Sequence, residues 1–148
     1  MERVKVSLPA HFPFSTFLKI RITDLNYGGH VGNDMFLSLV HEARQQYLQC
    51  YGYSELAFEG TGLIMVDAAI AYKRELKFGD LIKISVAAAN FDKIGFDLYY
   101  KLEVMAVEEW LLAAKVKTGM LCFNYLAQKK VPVPDEAIKK LSETPSPR

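Results

Sequence analysis

The chain has 148 residues, with 51% apolar and 12% aromatic side chains, enough for one folded domain with a real core and too apolar for a disordered chain. Its 18 basic and 17 acidic residues leave a formal charge of +1, which argues against a broad electrostatic footprint for nucleic acid or for a membrane surface. Two cysteines, Cys50 and Cys122, are too few for a disulfide scaffold or a zinc site and read as buried thiols.

Residues 1–13 read as a loose lead-in, broken by Pro9 and Pro13, with no apolar core of a signal peptide. No uncharged apolar run approaches bilayer length, so the expectation is a cytoplasmic protein with no membrane partner. From Phe17 to Ile22 apolar and basic residues alternate, which predicts a strand with one buried face. Asp24-Leu25-Asn26-Tyr27-Gly28-Gly29-His30-Val31-Gly32-Asn33 follows, gathering an acid, a carboxamide, glycines and a histidine before a helix. The helix is expected over 34–51, capped by Asn33 or Asp34 and stopped at Gly52, because Phe36, Leu39, Val40, Ala43, Tyr47 and Cys50 recur at helical spacing. Leu37 and Leu48 widen that face, so the helix should be packed on more than one side.

Strands are expected for the rest. Residues 62–75 are mostly apolar, as for a central strand buried on both faces. A turn at 77–80 leads to a strand at 81–90, and strands at 95–106 and 110–124 flank the acidic corner Val107-Glu108-Glu109, although a helix remains open for 110–118. Phe96, Leu98 and Tyr100 alternate with Asp97, Tyr99 and Lys101. Residues 134–141 suit a short helix with Pro134 in its first turn, and 142–148 read as a disordered tail. The order predicts an α+β fold, an antiparallel sheet of about five strands wrapped around one long helix. Its open edge strands favour pairing with a second copy.

The candidate chemistry lies around the glycine segment. Asp24 and Asn26, two apart, would project to one side of an extended segment; either is also a natural turn former. His30 is of a residue type suited to proton transfer, or simply braces the loop. Glu42 lies on the helix flank, as a surface acid or a site residue. Asp67 sits in the most apolar stretch, where a buried carboxylate needs a partner, across a dimer interface or as a replacement base. Gly28 and Gly29 suit positive φ or the close approach of a ligand. Lys73 and Arg74 could hold phosphates or be solvated strand ends. Tyr27, Phe36, Phe58 and Tyr72 could form an aromatic pocket or belong to the core.

The stretch Asp24 to Leu37, followed by His41-Glu42-Ala43-Arg44, resembles the signature of hotdog-fold acyl-CoA thioesterases, closest to the 4-hydroxybenzoyl-CoA thioesterase type, with its Asp-x-Asp-x-x-Gly-His-Val-Asn-Asn and a later Glu-Ala-Arg. Ala71-Tyr72-Lys73-Arg74-Glu75-Leu76-Lys77-Phe78-Gly79-Asp80 and Lys129-Lys130-Val131-Pro132-Val133-Pro134 are similar to later family segments, so the likeness runs over roughly residues 15–140. A single hotdog domain over 15–141 is the expectation. Two positions depart: the family's usual second Asp falls on Asn26, and the first Asn of its pair on Gly32. The resemblance implies hydrolysis of an acyl-CoA thioester at a dimer-interface site in a homodimer or a dimer of dimers. No metal is implied, and no cofactor beyond the coenzyme A of the substrate. Water would be placed by Asn26 and activated by Asp24, His30 or Glu42. The carbonyl would lie against amides near Gly29, Val31 and Asn33, with Asp67 and Tyr72 completing the site. A carboxamide cannot take a proton from water, so two alternatives stand. One is a non-catalytic acyl-thioester binder or scaffold. The other is an acyl-carrier-protein thioesterase, whose key Asn would fall on Gly28.

Overall fold

The computed structural model describes residues 1–145. Strands β1 (Phe14–Lys19), β2 (Gly62–Tyr72), β3 (Leu81–Ala89), β4 (Gly95–Ala106), β5 (Glu109–Asn124) and the two-residue β6 (Lys129–Lys130) form one antiparallel sheet, ordered β1-β3-β4-β5-β2, with β6 on β5. Helix α1 (Met35–Cys50) packs on β1 and β3, and α2 (Asp135–Leu141) follows the sheet. This is the expected hotdog arrangement of a sheet around one long helix.

Alternation builds the core. Ile82, Ile84 and Val86 of β3 and Leu98, Tyr100 and Leu102 of β4 point inward and are fully buried, as period-2 side chains on one face must be. From α1, Phe36, Leu39, Val40, Ala43, Tyr47 and Leu48 meet them, while Cys50 and Leu37 are only half-buried. Truncating a fully buried leucine such as Leu98 to alanine would cost about 2–5 kcal/mol, from lost burial plus the cavity left behind. Arg44 brings a charged side chain into this interior. Arg44 donates through Nε to Glu55 Oε1 (2.5 Å) and through Nη1 to the Tyr100 hydroxyl (3.2 Å), which pairs in turn with Thr118 Oγ1 (2.9 Å).

Several expectations need correction. The first strand begins at Phe14, directly after the expected lead-in and ahead of the expected start at Phe17, and ends at Lys19. Asp24 accepts from the Arg21 amide at 2.8 Å, curling Ile22–Asp24 into a 3-10 turn and leaving Ile22 exposed. The apolar run at 62–75 is not central: β2 lies at the sheet edge, paired only with β5, and Met65 to Ala68 are exposed. An apolar run records burial or a surface awaiting cover, and does not tell the two apart. Residues 110–118 are strand, with Ala113 as an extra residue between Glu103↔Leu112 and Leu102↔Ala114. Neither Asn33 nor Asp34 caps α1: Asp34 stands at the cap position with helical φ −69° and ψ −30°, and its side chain makes no capping bond. Pro134 precedes α2 in extended backbone. The start of the expected tail is bonded, since Tyr51 donates its hydroxyl to the Glu143 carbonyl at 2.7 Å, while 146–148 lie outside the described residues.

The acidic corner is a tight β4–β5 hairpin, with Val107 and Glu108 both at positive φ (43° and 69°), as the twist of the flanking strands favours. Among the described residues no helix is long and apolar enough to cross a membrane. Both cysteines are unpaired.

Candidate active site

The segment before α1 is shaped by its polar side chains. The Gly28 amide donates to Asn26 Oδ1 at 2.8 Å, an Asx turn, and the Gly29 amide donates to the Asn26 carbonyl at 3.1 Å. Gly29 takes φ +81°, which closes this turn and favours glycine. The Asn26 amide then bonds the His30 carbonyl and the Val31 amide bonds the Leu76 carbonyl, both at 2.9 Å, tying the loop to the chain leaving β2. Gly32 is a second forced position. A Cβ there would stand 2.6 Å from Asp34 Oδ1 and 3.5 Å from both Cβ and Nδ2 of Asn26.

The loop and the end of β2 enclose a cavity of about 300 Å³, lined by His30, Val31, Asn33, Phe36, Tyr72, Lys73, Arg74 and Glu75. The bulge at Ala113 puts the cations there, because its carbonyl accepts the amides of both Lys73 (2.8 Å) and Arg74 (3.1 Å). Tyr72 packs edge-on against Phe36, ring centroids 5.1 Å apart, and donates its hydroxyl to the Asn33 carbonyl at 2.9 Å. Burial, then the negative charge of Asp34, pushes the Tyr72 phenol above its ordinary pKa, so it stays a donor. His30 Nε2 lies 3.8 Å from Glu75 Oε1. The amides of Asn33 and Asp34 make no hydrogen bond among the described residues, as at a helix start where unpaired N–H groups attract negative charge, whereas Gly32 is buried behind the bridge between Leu25 and Val31. Among the described residues no group of three or more His, Cys, Asp or Glu side chains is placed to hold a metal ion.

The family model described as the thioesterase-like superfamily matches residues 20–141. The chain belongs to that superfamily. It is 29% identical over 119 residues, covering 78% of this chain and 83% of the relative, to a 1,4-dihydroxy-2-naphthoyl-CoA hydrolase of Microcystis aeruginosa. Its fold matches a 1,4-dihydroxy-2-naphthoyl-CoA thioesterase from Synechocystis (TM-score 0.74, 24% identity, 88% of this chain and 98% of that one). It also matches a 4-hydroxybenzoyl-CoA thioesterase variant crystallised with 4-hydroxybenzoyl-CoA (TM-score 0.77, 13% identity, 85% and 96%).

For a thioesterase-like chain, the expected site residues divide into groups. Asn26, Gly29, His30, Val31, Asn33 and Tyr72 come together at the entrance of α1. The amides of Gly29 and Val31, however, are already bonded within the loop, which leaves Asn33 of the three expected oxyanion donors. Asp24 and Glu42 border a different cavity of about 320 Å³ with Arg21, Met35, Ser38 and Leu39. Asp24 does not share a side with Asn26. It is buried and bonded by both the amide and Nη2 of Arg21, because the chain there is a 3-10 turn and not extended. Glu42 accepts from Gln46 Nε2 at 2.9 Å.

Asp67 is neither buried nor dependent on a partner copy. It is an exposed edge residue beside the extra residue Val66, and it accepts from Lys117 Nζ (2.8 Å) and the Gly119 amide (2.9 Å) of its own chain. Of the four aromatics considered for a pocket, Phe58 is core and Tyr27 fully exposed, leaving Phe36 and Tyr72. Sequence reasoning missed Asp34 and Glu75. Asp34 was read as a cap; the signal against that was Gly32 two residues before it, which leaves the carboxylate room to fold back.

Proposed function

We propose that this chain hydrolyses acyl-coenzyme A thioesters to free acid and coenzyme A, with aromatic acyl groups as the first class to test. The observation that carries the reading is the entrance of α1, where unpaired amides at Asn33 and Asp34 open beside a cavity with an aromatic pair and two cations. Amides aimed at a thioester oxygen stabilise the charge that develops there during attack, and thiolate leaves without help from a metal. Phe36 and Tyr72 would meet the acyl group, and Lys73 and Arg74 the phosphates of coenzyme A. Asn26 would place the attacking water through Nδ2. Superfamily membership and relatives named as hydrolases of 1,4-dihydroxy-2-naphthoyl-CoA support the reaction class.

The site belongs to a homodimer in this proposal. Edge strand β2 exposes Met65, Val66 and Tyr72, and its unpaired backbone suits a second copy of the same strand. The two unpaired thiols fit a reducing, cytoplasmic setting.

Release of free thiol from short, long-chain and aromatic acyl-CoA thioesters tests the reading. Turnover above buffer, reduced at least about tenfold in Asn26→Ala, would support both the reaction and the placement of water. The second reading, an acyl-thioester binder without turnover, draws on Asn26 being a carboxamide whose Oδ1 is taken by Gly28 and on Asp24 being engaged by Arg21. It predicts saturable binding without hydrolysis. Dependence on an acyl-carrier protein in place of coenzyme A would mark the carrier-specific variant.

A further inference from the structure

Asp34 is the carboxylate at the entrance of α1 that serves no structural partner. Its side chain makes no capping bond, and it has no hydrogen bond or ion pair among the described residues. The other nearby acids are occupied or turned elsewhere: Asp24 holds Arg21, Glu42 holds Gln46, and Glu75 lies beside His30 with most of its side chain in solvent. Asp34 instead folds back over the bare Cα of Gly32, with Oδ1 2.6 Å from where a Cβ would stand. Asn26 approaches the same point with Nδ2 at 3.5 Å. Because the Gly28 amide occupies Asn26 Oδ1, the orientation of the carboxamide is set and Nδ2 remains a free donor. One donor and one carboxylate acceptor thus flank the bare Cα of Gly32, next to the unpaired amide of Asn33. Asn33, next to Asp34 in the chain, lines the cavity.

We propose that Asp34 is the general base of the hydrolysis, acting on a water held between its carboxylate and Asn26 Nδ2; this rests on the thioesterase reading above. The water oxygen bonds to the thioester carbonyl carbon as one of its protons passes to Asp34. The carbonyl electron pair moves onto oxygen, where the Asn33 amide holds it. Collapse breaks the carbon–sulfur bond, and the departing coenzyme A thiolate takes the proton back from Asp34. A carboxylic acid and a free thiol leave, and the carboxylate is restored. Asp34 supplies the basicity that Asn26 lacks, and Gly32 supplies the room.

The test is thiol release by wild type, D34N and the double variant N26D/D34N on whichever acyl-CoA the wild type turns over. Loss of a general base should lower kcat by about 100-fold or more in D34N while KM stays within about threefold. In the double variant, a carboxylate on the opposite side of the same water should restore at least about tenfold of that loss. Circular dichroism should find D34N folded, since the side chain holds nothing in place. Should D34N prove unstable, Gly32→Ala pushes the carboxylate aside without removing it, and must lower kcat as well. D34N within about threefold of wild type, or a loss that N26D does not relieve, overturns the base and leaves the thioesterase reading standing. No turnover by wild type overturns the reading and the base together.

Discussion

The entrance of α1 and its middle treat polar groups in opposite ways. Midway along the helix Arg44 is buried, and its environment is closed: Glu55 and Tyr100 take its donors, and Thr118 completes the chain of hydrogen bonds. Burial works to lower the pKa of Arg44, but Tyr100 and Glu55 outweigh it and the net direction is upward, so the charge is held firmly. Nearly three turns earlier, Asp34, Asn26 Nδ2 and the amides of Asn33 and Asp34 are left open at the surface. A polar group without partners is tolerable only where water reaches it, and only there can a substrate take the place of the water. One helix therefore carries an anchor and a reaction site, distinguished by which of them is satisfied within the fold.

Breaking the anchor should have the largest effect. Arg44→Ala takes the close cation from half-buried Glu55, leaving it only His41 at 3.4 Å, and removes one of the two partners of buried Tyr100, and should lower the free energy of unfolding by about 3–5 kcal/mol. Urea denaturation measures this, and the rate per folded molecule should be unchanged. A loss below about 1 kcal/mol would mean that water or a rearranged side chain replaces the network. The converse experiment is Gly32→Ala. The added methyl meets the free end of Asp34 and no backbone atom closer than van der Waals contact, so the stability change should be small. The displaced carboxylate should cost on the order of 100-fold in turnover, as misplacement by about 1 Å can. If Gly32→Ala instead lowers stability and spares turnover, the entrance is structural and the contrast with Arg44 fails.

How much of this was legible differs element by element. The period-2 pattern of Phe96, Leu98 and Tyr100 and the helical spacing of α1 announced their buried faces correctly, because local geometry alone fixes which side chains share a face. The edge position of β2 was not legible: its apolar run records burial or a surface awaiting cover, and only the pairing with β5 alone decides. That error carried Asp67 with it, since an acid in a central strand must be buried and one at an edge need not be. Asp24 was misread for a local reason, the expected extended segment being a 3-10 turn that Asp24 itself stabilises through Arg21. The gathering of Asn26, His30 and Asn33 at the helix entrance was legible from their nearness in sequence. The role of Asp34 was not, because it depends on the direction in which one side chain folds over Gly32.

The smallest expected effect sharpens the comparison most. Asp67–Lys117 is chemically the same kind of pair as Glu55–Arg44, but it lies on the exposed edge strand, with 60% of the Asp67 side chain accessible. The Lys117 hydrogen bond, opposed by partial burial and aided by the charge of Lys117 and by the Gly119 amide, holds the Asp67 carboxyl below the usual carboxylate range. A depressed folded pKa gives stability that is present above the unfolded value of about 3.9 and is lost as pH falls through the folded value. With solvent screening this should amount to a few tenths, about 0.5 kcal/mol at most, near neutrality. Asp67→Asn keeps an acceptor for the Gly119 amide and removes the charge, so the difference from wild type should be small at neutral pH and vanish in acid, below the folded pKa of Asp67. Added salt should also shrink it. A second copy seated on β2 would dry this pair and move it toward the Arg44 case. At concentrations where light scattering finds a dimer, the penalty of Asp67→Asn should exceed its value at high dilution. A penalty that stays the same at both concentrations would mean that the covering surface, if any, lies elsewhere than on this edge.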